Sequence, residues 1–192
     1  MTNYLVTGGA GFIGSALVKT LNKEKNSNVL NIDKLTYAGN PQNLKNIKFK
    51  NNYYFKKLDI CNQTIMNTLF KEFNPDFVYH LAAETNVDKS IKCPTDFLNT
   101  NILGTASLLN AALLYWDKLK GNKKKNFKFI SVSTDEVYGS LDNNEFFNEK
   151  SQYKPNSPYS ASKASSDHLV RAWYKTYGLP TIITNCSNNY GP

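Results

Sequence analysis

Tyr159 and Lys163 stand four residues apart in the run SPYSASK, and that spacing on a helix would set an ammonium beside a phenol. A tyrosine is ordinarily protonated up to a pH of about 10, so it accepts a proton poorly unless a nearby cation stabilises its phenolate. Lys163 supplies the cation, and Pro158 suits the first turn of the helix that has to carry the pair. Tyrosine and lysine at this spacing also occur on ordinary solvated faces, so the chemistry needs a second feature beside it.

That feature is TGGAGFIG, in which Gly8, Gly11 and Gly14 repeat every third residue between an apolar run and an amphipathic one. A turn with positive φ, close approach of backbone to a pyrophosphate, and tight packing of helix on strand each require that a Cβ be absent. Phe12 and Ile13 fall between the last two glycines. Asp33 ends the next apolar run, 19 residues after Gly14. A carboxylate there can accept hydrogen bonds from both ribose hydroxyls and repels a 2′-phosphate, which favours NAD over NADP. Asp59 and Ile60 close a third run, where they suit either an adenine pocket or a plain strand end.

The elements that must position these residues follow from periodicity. Residues 4–7, 29–32, 53–58, 77–81, 127–132 and 181–184 read as strands, the first, fourth and fifth apolar enough to be covered on both faces. Residues 12–24, 62–73, 95–116 and 157–177 carry apolar side chains at three- and four-residue spacing, as amphipathic helices do. Strands alternating with helices predict a doubly wound parallel α/β sheet of Rossmann type in a single domain over residues 1–192. Two long loops, 34–52 and 139–156, are candidate walls for a site at the strand C-termini.

Composition excludes several other classes. The three cysteines are far apart and in no metal-ligand spacing, so neither disulfides nor a metal site is expected. No consecutive apolar run approaches the ~20 residues of a membrane span, and the start lacks the features of a signal peptide, which together suggest a cytoplasmic protein. The net charge of +8 comes from scattered lysines. The one basic cluster, KLKGNKKKN at 118–126, reads as a solvated loop and not as a nucleic-acid surface.

The glycine turn, the acid after the second strand and the Tyr159/Lys163 pair, in this order, resemble the extended short-chain dehydrogenase/reductases that act on nucleotide sugars. Within that group STDEVYG, NIDKLTYAGN, HLAAETNVDKSI and TNCSNNYGP are similar to the dTDP-glucose 4,6-dehydratases. The likeness spans essentially the whole chain. Epimerases of the group usually lack the acidic pair, and its GDP-mannose dehydratases lack the full Thr-Asp-Glu run.

The resemblance implies a redox-neutral elimination. Tyr159 takes the C4 hydroxyl proton as hydride passes to NAD, Glu136 removes the C5 proton, Asp135 protonates the leaving C6 hydroxyl, and hydride returns to C6. Thr134 helps bind the sugar, and Lys163 holds the ribose. A carboxyl raised by burial and a like charge can work opposite an ionised neighbour, although Asp135 and Glu136 also suit the acidic start of a helix. The resemblance places Lys34, Leu35, Thr36, Leu81, Ala82, Ala83, Glu84, Thr100 and Asn189 against NAD, and Thr85 and Asn188 against substrate. Asn86 departs from a histidine common in these enzymes. The segment between Glu136 and Tyr159 also looks shorter than usual.

Members of the group continue into a smaller C-terminal substrate domain, so this chain is expected to bind NAD yet turn over slowly by itself. They also pair through the helices matching 95–116 and 159–177, for which Leu108, Leu109, Ala112, Leu169, Ala172 and Trp173 could form a homodimer contact or the core. The alternatives left open are a UDP-glucose dehydratase, a 4-epimerase, and a non-catalytic NAD-binding module.

Overall fold

The computed structural model describes residues 1–141 and 146–191. Residues 142–145, in the middle of the second predicted long loop, and Pro192 lie outside the described residues. Six strands, β1 (Thr2–Thr7), β2 (Ser27–Asp33), β3 (Tyr53–Lys57), β4 (Phe77–His80), β5 (Lys128–Thr134) and β6 (Thr181–Cys186), form one sheet in the order β3-β2-β1-β4-β5-β6. Every pairing is parallel, as the alternating pattern predicts. The strand order reverses between β1 and β4, and the crevice for a ligand in such a sheet opens at that point, outside the strand C-termini.

The helices are α1 (Phe12–Leu21), α2 (Gln63–Phe73), α3 (Val87–Lys92), α4 (Pro94–Phe97), α5 (Thr105–Trp116), α6 (Gly121–Asn126) and α7 (Pro158–Tyr177). A π-helical segment, Leu98–Gly104, joins α4 to α5. The stretch Pro94–Trp116 is long and apolar enough to cross a membrane by length and composition, but half of it is buried in the protein, as suits a core helix. Local chemistry fixes α7 firmly: Ser157 and Ser160 form a capping box, Pro158 takes the first turn, and Gly178 ends the helix at φ 75°.

Two apolar cores sandwich the sheet. Leu5, Ile32, Val78 and Phe129 face Met66 and Phe70 of α2, Leu108 and Leu109 of α5, and Val170 of α7. Val6 and Val29 on the other face meet Val18 of α1 and Leu44 and Ile47 of the loop after β2. The most thoroughly buried strand is β2, not β1, β4 or β5, because both cores close over it. Beyond α1 that second face is thinner, and Ile182 of β6 stands 44% exposed.

Two expectations change and one open choice closes. The lysine cluster is not all loop: residues 118–120 connect α5 to α6, and Gly121–Asn126 form α6, where Lys124 lies 4.3 Å over the Trp116 ring and Lys123 pairs with Asp76 at 3.3 Å. Leu108, Leu109 and Ala112 are fully buried in the larger core, so they serve packing and cannot form a dimer contact. Thr134 ends β5 instead of following it, since this strand runs three residues past the point where Ser131 pairs with His80 at the end of β4.

Candidate active site

The turn after β1 is as compact as its glycines predict. Gly8 has φ 74°, and a Cβ there would come within 2.6 Å of the Ala82 nitrogen; a Cβ on Gly14 would run into the Gly8 carbonyl oxygen. The turn therefore lies directly against the end of β4 and hands the chain into α1, whose first amides have no side-chain cap. Free amides and the positive end of the helix dipole make this an anion site.

A cavity of about 340 Å³ runs over the turn, in the size range of cofactor sites. Gly8, Gly11, Phe12, Ile13 and Gly14 form its floor. Asp33, Lys34, Thr36, Asp59 and Ile60 line one end; Leu81, Ala82, Ala83, Glu84, Thr85 and Thr100 line its side; Tyr159 and Lys163 stand at the other end. Asp33 is fixed by the Ala10 amide on Oδ2 (2.9 Å) and the Leu35 amide on Oδ1 (2.8 Å), which leaves lone pairs on both oxygens for a diol. Lys34 bonds Asp59 at 2.7 Å. Burial raises the Asp59 carboxyl, but the Lys34 ammonium and the Cys61 amide outweigh it, and the net shift is downward.

The fit to a dinucleotide rests on a turn that admits no Cβ at Gly8 or Gly14, helix amides without side-chain caps, and a diol acceptor at one end. Thr7 and His80 brace the cradle from below. His80 is buried, bonded through Nδ1 to Thr7 and through Nε2 to Thr105 at 2.8 Å each, and pushed down to about 3, first by burial and then by Lys163. The Ala82 amide donates to the same Thr7 hydroxyl at 3.1 Å.

At the reactive end, helix periodicity places Tyr159 and Lys163 on one face of α7 as predicted. The protein's own groups do not lower the phenol, however. Tyr159 is pushed up to about 12, first by burial and then by Glu136, against a hydrogen bond with Thr134 that lowers it. Lys163, almost fully buried, donates instead to the Val132 carbonyl oxygen at 2.7 Å. Burial pulls the ammonium below the ordinary lysine value, and Asp167 opposes this.

Asp135 and Glu136 begin a single 3₁₀ turn, Asp135–Tyr138, capped by the Thr134 hydroxyl accepting from the Glu136 amide at 3.3 Å. Thr134, Asp135 and Glu136 do not line the cavity wall; they lie just past its Tyr159 end, close enough for both carboxyls to act on the phenol. Glu136 is raised above the usual carboxylate range, first by burial and then by Asp135. Three other expected contacts lie away from the cavity wall. Leu35 turns into the smaller core, whereas Asn188 and Asn189 are exposed after β6, with the Asn189 amide on the Ser187 carbonyl at 2.9 Å.

Several residues of the site escaped the sequence reading. Tyr37, in the loop after β2, donates its hydroxyl across to the Thr85 carbonyl, and Lys89 lies 3.9 Å over its ring while pairing with Glu84 at 3.1 Å. Asn101, from the π-helical segment, grips the Glu84 backbone from both sides and donates to Ser162 of α7. Val132 and Ser133 complete the wall. The one available signal was the length of the loop carrying Tyr37. Asn86, flagged as a departure, has φ 78° and caps α3 by accepting from the Lys89 amide.

The family described as GDP-mannose 4,6 dehydratase has a sequence model that matches residues 5–192. The chain belongs to this family. Within it, the chain is 55% identical to a dTDP-glucose 4,6-dehydratase of Salmonella typhimurium, across 98% of this chain and 55% of that protein. A Neisseria meningitidis protein of the same name is 53% identical across 100% of this chain and 54% of its own length. The crystal structure of the Bacillus anthracis dTDP-glucose 4,6-dehydratase in complex with NAD superimposes with a TM-score of 0.86 at 44% identity, covering 100% of this chain and 56% of that one. A UDP-glucose 4-epimerase of Thermotoga maritima gives 0.85 at 32% identity over 100% of this chain and 57% of that one. The chain spans about half the length of the curated relatives it matches.

Proposed function

We propose that this chain forms the cofactor-binding and catalytic part of an NAD-dependent nucleotide-sugar 4,6-dehydratase acting on dTDP-glucose. The observation that carries the reading is the raised Glu136 beside Asp135, at the same end of the cavity as Tyr159 and Lys163. When bound, NAD would supply a hydride acceptor and donor and a positive ring beside the phenol. Asp33 would hold the adenosine ribose diol and repel a 2′-phosphate, and the turn from Gly8 to Gly14 would take the pyrophosphate.

The residues then divide the proton work. Tyr159 accepts the C4 hydroxyl proton, with Thr134 orienting the phenol and Lys163 on the same cavity wall, its ammonium held by the Val132 carbonyl. The resulting 4-ketone acidifies the C5 hydrogen. Glu136, made the more basic by burial, removes that hydrogen, and Asp135, in its protonated form, hands a proton to the departing C6 hydroxyl. The names of the relatives support dTDP-glucose as the substrate. A 4-epimerase, the reading that the Thermotoga neighbour supports, has no use for this acid pair.

Apolar side chains left on the outer faces of the long helices support a homodimer. Leu103 is 60% exposed, Leu114 53%, Tyr174 49% and Tyr177 52%, which suits helix-to-helix pairing of two copies. Free Cys61, Cys93 and Cys186 suit a reducing cytoplasm. The catalytic assignment is tested by separating the steps in a full-length form. Tyr159→Phe should slow reduction of bound NAD by about 10²–10⁴-fold. Glu136→Gln should leave that reduction in place but stop loss of water; product formed at an unchanged rate by both variants would overturn the reading.

A further inference from the structure

One more ionisable group lies on the face of α7 that presents Tyr159 and Lys163. Asp167 stands one turn beyond Lys163 and is 1% exposed. Its Oδ2 accepts from the Ser133 hydroxyl at 2.6 Å and the Tyr153 hydroxyl at 3.0 Å, while its buried Oδ1 has no hydrogen-bond partner among the described residues. Two hydroxyls donating to one oxygen are arranged for an ionised carboxylate. Lys163 has the Val132 carbonyl as its hydrogen-bond partner, and a neutral carbonyl does not balance a buried positive charge.

The surroundings leave that task to Asp167. From β4, His80 faces Lys163 and is held neutral by burial and by the lysine itself. From β6 comes Cys186, which also acts on the lysine. Tyr138, in the turn after β5, and Tyr153, in the following loop, are both raised, first by burial and then by the charge of Asp167. Asp167 is the one carboxylate acting on Lys163 among the described residues.

We infer that Asp167 is a positioning residue, the buried countercharge that keeps Lys163 an ammonium and the clasp that ties Ser133 and Tyr153 to α7. What this does for the reaction rests on the role given to Lys163 above; the coupling of the two charges does not. Burial raises Asp167 and sets the net direction upward, with Ser133 and then Lys163 opposing it, and Asp167 is the leading group that holds Lys163 up. Ser133 lines the cavity, so the same carboxylate fixes part of the cofactor wall.

The coupling is measured by labelling lysine Cε with carbon-13 and following the Lys163 signal, assigned by its loss in Lys163→Arg, as pH is varied. Asp167→Asn should lower the Lys163 midpoint by about one pH unit or more. Asp167→Glu should restore most of it, and Tyr153→Phe, which removes a hydrogen bond but no charge, should leave it in place. An unmoved midpoint in Asp167→Asn, or an equal drop in Tyr153→Phe, would overturn the proposal. Coupling is reciprocal, so Lys163→Met must raise the Asp167 carboxyl midpoint, and that arm decides the question if Asp167→Asn fails to fold. A wild-type chain that does not bind NAD would remove the functional reading, while the two midpoints would still decide the coupling.

Discussion

Tyr159 sits under opposing influences that decide what it can do. Burial and the Glu136 carboxyl push it up to about 12, whereas Thr134 pulls it down and the Lys163 ammonium is turned to the Val132 carbonyl. The phenol is therefore a poor base until positive charge arrives beside it, which the proposed cofactor would bring. Glu136 carries the sharper pH prediction. Its acid form is favoured by burial and by Asp135, and it must be ionised to take a proton. The rate of water loss is expected to fall about tenfold per pH unit below its raised value, and a profile flat down to a pH of about 4.3, the ordinary glutamate value, would contradict this. The Tyr159/Lys163 pair was legible from its spacing together with the glycine turn, and the adjacent acids from the family resemblance. The direction of the phenol's shift was not, because it depends on where the lysine's hydrogen bond goes, a long-range contact between α7 and β5.

The elements explain why these side chains meet. β1 and β4 end level, with Thr7 paired to His80, so the glycine turn lies against Leu81 and Ala82; β5 continues past them and carries Ser133 and Thr134 to the far end of the cavity. A Cβ on Gly14 would collide with the Gly8 carbonyl. Gly14→Ala is accordingly expected to weaken NAD binding by at least about tenfold, checked by calorimetric titration, because the turn must open to admit the methyl group. Unchanged affinity would show that the turn is not the phosphate cradle. Strand positions and helix types were legible because each long element keeps its period. The π-helical segment was not, since only the packing of Asn101 against Glu84 and Ser162 reveals why the helix widens there. Nor was α6, a short lysine-rich helix held by Trp116 and Asp76 from outside itself.

At the scale of the whole molecule, the exposed faces of α5 and α7 and the cavity make separate claims. Sequence periodicity identified the apolar positions of the 95–116 helix but not which of them face inward, and Leu108 and Leu109 proved to be core while Leu103, in the π-helical segment, and Leu114 of α5 remain outside. Leu114→Asp combined with Tyr174→Asp should therefore shift a dimer to monomer by sedimentation without lowering the melting temperature appreciably, because both side chains are half exposed already. A wild-type protein that sediments as a monomer would remove the pairing. The central claim concerns the cavity, where one set of residues is held to oxidise a carbinol, expel water and reduce the product without net redox change. It is tested most directly in a full-length form, with dTDP-glucose carrying deuterium at C4. The account predicts a 4-keto-6-deoxy product with the deuterium at C6, whereas deuterium returned to C4 of an epimerised sugar, or lost to water, would contradict it.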